Sequence, residues 1–414
     1  MNHRLWKQVN DRLHALYGEN PPVPCLNRQA FEESSLKGTK VFRSFGILAG
    51  IAYTAEKEKA AWIPDRLTAS SFIAWLLGIH DVNPLPPHYR CPNCKKTEFV
   101  ENVCSGFDLA PKKCSCGAKF ERDGHNIPFE GYAASIQQYT EIKLYVSKSL
   151  IPHAVKTLKY LLESEFAVIP VTCESDGDTY REKYAAVPAG KQKPQLKEDG
   201  FWHPSWQEFF ALCEEELVFD FVVHPQLDQL TLLMGKKGVR KPGIQELPEP
   251  HILENLYAVL RASLPEYTGY IPCSDAVSFG ILQKSYGFCQ STAAWEGNAE
   301  RLLRDGRAAF SELPSVREDI LEDIRRGLGA HGIYECGLPV KIMETARKGH
   351  YHRMGLPSEV ETVLKDLGLP EWYADYLKNV QYLAPKGECT ACLLSDLKLA
   401  WYENQINQTE AENG

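Results

Sequence analysis

Two thiol pairs carry the first chemistry in this chain: Cys91 and Cys94 in "CPNC", and Cys114 and Cys116 in "CSCG". Two tight turns about twenty residues apart, each aiming two thiolates at one tetrahedral ion, are the layout of a zinc ribbon. Four thiolates leave no open coordination position, so such a zinc would be structural. The second pair is C-x-C rather than C-x-x-C, and Cys104 lies between the pairs as a substitute for one ligand. The competing reading is reduced cysteines in a small loop-rich subdomain. A second candidate site lies at residues 140–146, "TEIKLYV", where period-2 alternation sets Glu141 and Lys143 on one face of a strand and Ile142 and Leu144 on the other.

These residues must be positioned by an ordinary globular chain. With 414 residues, 44% hydrophobic and 24% charged, it can form two or three domains, each with its own core. No apolar run approaches the roughly 20 residues of a membrane span, and the N-terminus reads as an amphipathic helix rather than a signal peptide, which makes a cytoplasmic location the expectation. An odd count of 13 cysteines without a secretory signal argues against a disulfide framework. The net charge of -8 argues against indiscriminate nucleic-acid binding, which depends on many Lys and Arg at phosphates.

After the first helix, "GENPPVP" is a loop, and "VFRSFGILAGIAYTAEKEKAAWIP" is ambiguous between strand and helix. "TASSFIAWLLGIH" reads as a helix with Thr68 or Ser70 as its cap. "EIKLYVS" and "ELVFDFVVH" read as strands, "PHAVKTLKYLLESE" as a helix and "GKQKPQLKEDGFWHPS" as a loop. Beyond residue 250 the pattern is repeatedly helical, and no repeat of fixed period is present. The expected organisation is a helical and palm-like part over 1–85, a zinc ribbon over 86–130, the rest of an α/β core over 131–250, a helical domain over 251–402 and a disordered tail over 403–414.

The stretch from Val82 to Glu130, "VNPLPPHYRCPNCKKTEFVENVCSGFDLAPKKCSCGAKFERDGHNIPFE", closely resembles the polymerase core of the PolC-type DNA polymerase III alpha subunits. "GNAERLLRDG", "RRGL", "KIMETARKG", "LPEWY" and "PK" at 385–386 recur in the order of that family's fingers region. These anchors cover most of the chain from about residue 60 to 402. The family's OB, PHP, exonuclease, helix-hairpin-helix and clamp-binding segments have no counterpart among them. The resemblance implies an α+β fold: a palm-like mixed sheet, a zinc-ribbon insert and a helical fingers-like region.

It also implies nucleotidyl transfer by two divalent cations held on carboxylates, which hard Mg²⁺ selects. The family carries two aspartates in a strand motif like P-D-I-D-L-N-F, which falls on "T-E-I-K-L-Y-V". Glu141 then takes the first position and Lys143 the second, so an internal Glu-Lys pair would replace metal binding. The third aspartate lies in a motif like K-L-D-I-L-G, matched here to "Q-L-T-L-L-M-G", which puts Thr231 at that position and Asp228 on the wrong face of the strand. Where the family has a glycine-rich phosphate loop, this chain has "P-D-R-L-T-A-S-S" at 64–71, with Asp65 repelling phosphate and Arg66 displaced by one position. An H-P-G-G turn is missing, and P-K-A-H-A-A becomes "PKGECTA", which keeps Lys386 and turns the histidine into Glu388. Damage at four places puts catalytic magnesium in doubt.

From Arg325 to Arg353 six cations (Arg325, Arg326, Lys341, Arg347, Lys348 and Arg353) face two carboxylates, Glu335 and Glu344, and a second basic loop, "GKKGVRKPG", follows Thr231. Arg325, Arg326, Lys341, Arg347, Lys348 and Lys386 are the candidate nucleic-acid contacts, as the family's fingers contact template and nucleotide. The bland alternative is a solvated helical surface. The reading is an inactive, shortened PolC-like protein with a structural zinc, acting at DNA or with replication proteins. Its rivals are a working polymerase using Glu141 with Asp220 or Asp228, and an interaction module with no DNA role.

Overall fold

The computed structural model describes residues 2–133, 136, 141–163, 165–176, 179–191, 193–263, 277–333 and 337–413. Three helices open the chain, α1 (Asn2–Tyr17), α2 (Val23–Leu36) and α3 (Lys40–Glu58). The stretch that was ambiguous between helix and strand is α3, because Thr39 caps its start by accepting the Phe42 N–H, and Lys59 ends it in a left-handed conformation at φ 50°. Then come β1 (Trp62–Ile63), α4 (Arg66–Ala69) and α5 (Phe72–Leu76). "TASSFIAWLLGIH" is thus broken into turns rather than one helix, and it is Ser71, not Thr68 or Ser70, that caps α5 by accepting the Ala74 N–H.

A small antiparallel sheet follows, made of β2 (His88–Arg90), β3 (Thr97–Phe99) and β4 (Glu121–Asp123) with β2 in the centre. A buried polar network fastens it to the helices: Asn83 donates to Asp123 at 2.8 Å, and the Tyr17 hydroxyl meets His88 Nε2 at 3.1 Å. A Cβ on Gly106 would lie 1.9 Å from the Asp123 carbonyl oxygen. Gly106→Ala is therefore expected to destabilise the protein by at least the roughly 1–3 kcal/mol typical of overpacking. Urea unfolding checks this, and an unchanged midpoint would show that the seam yields.

Beyond α6 (Glu130–Ala133) the chain builds its main sheet from β5 (Glu141–Val146), β6 (Phe166–Asp176), β7 (Thr179–Pro188) and β8 (Leu217–Val223), with α7 (Leu150–Leu162) and α8 (Trp206–Glu215) between strands. The order is β1-β5-β8-β7-β6; β5 and β8 are parallel and the other neighbours antiparallel. The alternation in β5 holds: Ile142, Leu144 and Val146 are buried, and Glu141, Lys143 and Tyr145 share the opposite face. The apolar face joins Leu13, Phe42, Phe45 and Phe219 in one hydrophobic core.

The rest is helical: α9 (Pro225–Gly235), α10 (Pro250–Ser263), α11 (Phe279–Gln290), α12 (Glu300–Arg304), α13 (Arg317–Ala330), α14 (Gly337–Arg347), α15 (His350–Met354), α16 (Ser358–Asp366), α17 (Glu371–Asn379) and α18 (Lys386–Asn413). Their apolar faces, such as Ile320, Leu321, Ile324 and Leu328 on α13, converge with Phe279, Tyr373, Tyr376 and Leu393 on a second large core. Two expectations are corrected here. "QLTLLMG" lies in α9, not in a strand, because Pro225 opens a helix at its first turn and Leu227 and Leu230 bury at helical spacing. The segment from residue 403 is not a loose tail, since α18 runs through it to Asn413. Among the described residues no helix is long and apolar enough to cross a membrane.

Candidate functional site

The ribbon brings its thiols together. The Sγ atoms of Cys91, Cys94, Cys114 and Cys116 all lie within 4.8 Å of one another, with Cys91 3.5 Å from Cys116 and Cys94 3.5 Å from Cys114. Zinc–thiolate bonds of about 2.3 Å in a tetrahedron require sulfurs roughly 3.8 Å apart, so the donor set fits a structural metal. The C-x-C pair works because the Cys114 N–H bonds the Ala118 carbonyl and the Gly117 N–H the Cys114 carbonyl, closing a tight turn. The Ala118 N–H draws the Cys116 thiol down to about 6, towards the thiolate a metal needs. Cys104 stands elsewhere, with its Cβ against Gly280 on α11, and does not replace a ligand.

On the main sheet, Lys143 on β5 pairs in register with Asp220 on β8, which pairs in turn with Lys183 on β7. Directly opposed residues share a face, and so do Glu141 and Arg181, each two residues along. The result is one cluster of two carboxylates and three cations. Glu141 is bonded by Lys183 Nζ at 2.6 Å, and Arg181 Nε lies 2.9 Å from Asp220 Oδ1, an ion contact without hydrogen-bond alignment. The internal Glu141–Lys143 pair expected from the sequence does not form: Lys143 Nζ instead sits 4.7 Å from the centroid of the Tyr145 ring. Burial raises the Asp220 carboxyl to about 6, against the lowering pull of Lys183 and Arg181. Thr231 is outside this cluster; its hydroxyl accepts the Ala61 N–H at 2.8 Å. Asp228 is outside it too, accepting the Lys148 N–H at 2.7 Å.

Segment 64–71 meets the start of α18, where a Cβ on Gly387 would touch Ser70 Oγ at 2.3 Å. Here Asp65 caps α4 by accepting the Thr68 N–H at 3.1 Å, so a carboxylate already occupies that helix start. The Lys386 N–H donates to Glu318 Oε2 at 2.8 Å and its ammonium to the Asn126 carbonyl at 3.2 Å. Glu388 is largely enclosed; burial raises its carboxyl, and the Tyr145 hydroxyl and the Lys143 charge pull it back.

The basic stretch is less bare than its charge count. Arg325 lies 2.7 Å from Glu130 and 3.3 Å from Glu322, and Arg347 holds Glu344 with two bonds of 2.6 and 2.8 Å. Lys341 is exposed, Arg326 is 79% exposed and 3.4 Å from Asp323, and Lys348 is 51% exposed and 3.5 Å from Glu344. Glu335 lies outside the described residues. In the second basic loop Arg240 clasps Glu246 and Lys241 meets Glu56 at 2.5 Å.

No family model matches the chain. Across 96% of its length it is 25% identical to DNA polymerase III PolC-type from Lacticaseibacillus paracasei, covering 32% of that protein. The match to the same protein of Staphylococcus haemolyticus is 26% over 94% of the chain and 31% of the relative, and that to Ureaplasma parvum is 27% over 94% and 31%. Its homologues are DNA polymerase III PolC-type proteins. The chain spans about a third of their length.

In the structure "V-F-D-F-V-V" at 218–223 lies in strand β8, whereas "Q-L-T-L-L-M-G" is helical. Asp220, rather than Thr231, therefore stands beside Glu141 and Lys143 on the neighbouring strand. The signal was present in the sequence: a run of apolar and aromatic residues carrying one aspartate, followed by His224 and Pro225 at a helix start.

Proposed function

We propose that this chain is a PolC-like protein whose palm-like sheet no longer synthesises DNA, and which acts by holding DNA or replication proteins. The observation that carries the reading is the cluster on β5, β7 and β8. A divalent cation needs carboxylate oxygens free to ligate it. Glu141 and Asp220 are instead neutralised by Lys183 and Arg181, and the Lys143 ammonium, in register with Asp220, adds a third positive charge. This residue set does not fit two magnesium ions. Asp65 at the start of α4 adds a charge unfavourable to a triphosphate. In this reading the four cysteines hold a structural zinc, the protein works in the cytoplasm, and Lys341, Arg326 and Lys348 are the most available phosphate contacts, with Arg325, Arg347 and Lys386 supporting them.

A second reading, an active polymerase, has in its favour that Glu141 and Asp220 share one face of the sheet on adjacent strands. Primer extension with Mg²⁺ and Mn²⁺ separates the two. We expect no extended product, and DNA binding that weakens as salt rises. Metal-dependent extension that disappears in Asp220→Asn would establish the active reading. Absence of both extension and salt-dependent DNA binding would leave an interaction module acting on protein alone.

A further inference from the structure

A cavity of about 420 Å³ lies where Tyr145 on β5, the start of α9, α11 and α18 meet, lined among others by His224, Gln226, Tyr286, Tyr382, Glu388 and Asp396. Among the described residues its lining contains two carboxyls and three tyrosine rings but neither lysine nor arginine. The two carboxyls form separate half-sites. Asp396 accepts the Tyr286 hydroxyl at 2.5 Å, and Glu388 bonds the Tyr145 hydroxyl, with the Tyr382 phenol close enough to feel its charge. Carboxylate beside aromatic ring is a favourable surrounding for an ammonium group, by charge and by cation–π attraction. Both carboxyls belong to α18, eight residues apart, which is about 12 Å along a helix. Allowing about 3 Å of hydrogen-bond reach at each end leaves roughly 6 Å between two bound nitrogens.

We propose that this cavity binds a linear aliphatic diamine or polyamine, one ammonium at Glu388 and the other at Asp396. Between them Cys392 and Ser395 line the cavity beside the alkyl chain. Burial raises both carboxyls, Asp396 to about 6, so each gains from an arriving cation. Lys143 and Arg66 also pull on Glu388, and Asp65 opposes them, so Asp396 is the less compensated half-site. His224 at the mouth is held towards its neutral form by burial. The proposal rests on the cavity alone and does not depend on the fate of the polymerase chemistry.

The test is calorimetric titration of the full chain with α,ω-diamines of increasing length and with a monoamine of matched carbon count, at low and at physiological salt. We expect affinity to peak at an intermediate diamine length, and the monoamine to bind at least tenfold more weakly. Glu388→Gln and Asp396→Asn should each weaken the best diamine about tenfold without lowering the unliganded unfolding temperature. Gln226 is exposed at the rim, and Gln226→Lys should block binding by placing an ammonium in the mouth; it serves if either carboxyl variant fails to fold. Absence of saturable binding would overturn the proposal. So would length-independent binding that salt abolishes and Asp396→Asn leaves intact, which would be counter-ion association with an acidic protein.

Discussion

Arg317→Leu is expected to cost about 3–5 kcal/mol of stability, the loss seen when one partner of a buried charge pair is removed. The Arg317 side chain is 3% exposed, with Nε 2.8 Å from Glu318, Nη1 3.1 Å from Glu344, and its guanidinium carbon 3.9 Å from the centroid of the Tyr132 ring. Glu344 would keep Arg347 and Glu318 the Lys386 N–H, but Glu318, 2% exposed, would lose its counter-charge. Because Lys386 opens α18 and Tyr132 lies on α6, the damage should reach the contact between the sheet region and the helical region. Arg317→Lys should lose less, keeping the charge but not the planar fork. Urea unfolding is the measurement; a shift worth under about 1 kcal/mol would mean that the carboxylates relax into water and the site is not dry.

Removing the ribbon's metal should have the second large effect. The purified chain is expected to carry about one zinc ion, released by a thiol-reactive mercurial and detected with a colorimetric chelator. Structural zinc in zinc-finger peptides binds with roughly 10–16 kcal/mol, so its loss should unfold β2, β3 and β4 as a unit. Cys91→Ser and Cys114→Ser should lose the metal, whereas Cys104→Ser should keep it, since Cys104 stands against α11. Retention of zinc by Cys114→Ser together with its loss from Cys104→Ser would reverse the ligand assignment. Metal-free protein with an intact ribbon would remove the metal from the account altogether.

What the sequence determined by itself is local. The thiol pairs were legible because each is closed by a turn of a few residues. The β5 alternation and most C-terminal helices were legible because apolar spacing reports directly which face is buried. "QLTLLMG" misled because a short apolar run has no period that separates strand from helix, and the helix start at Pro225 decided it. That error left Asp220, one element upstream, as no more than a rival candidate.

The tertiary structure alone decided the partners. Glu141 finds Lys183, 42 residues away, because β7 and β5 both flank β8 and present that face together; no count along the sequence shows this. In the same way Glu130, Glu322 and Asp323 lie outside the stretch from Arg325 to Arg353, yet they pair with its arginines. Charge tallied along a chain measures composition, whereas the field at a site depends on which faces pack together. That is why the residue types of this cleft could be read in advance and their pairing could not.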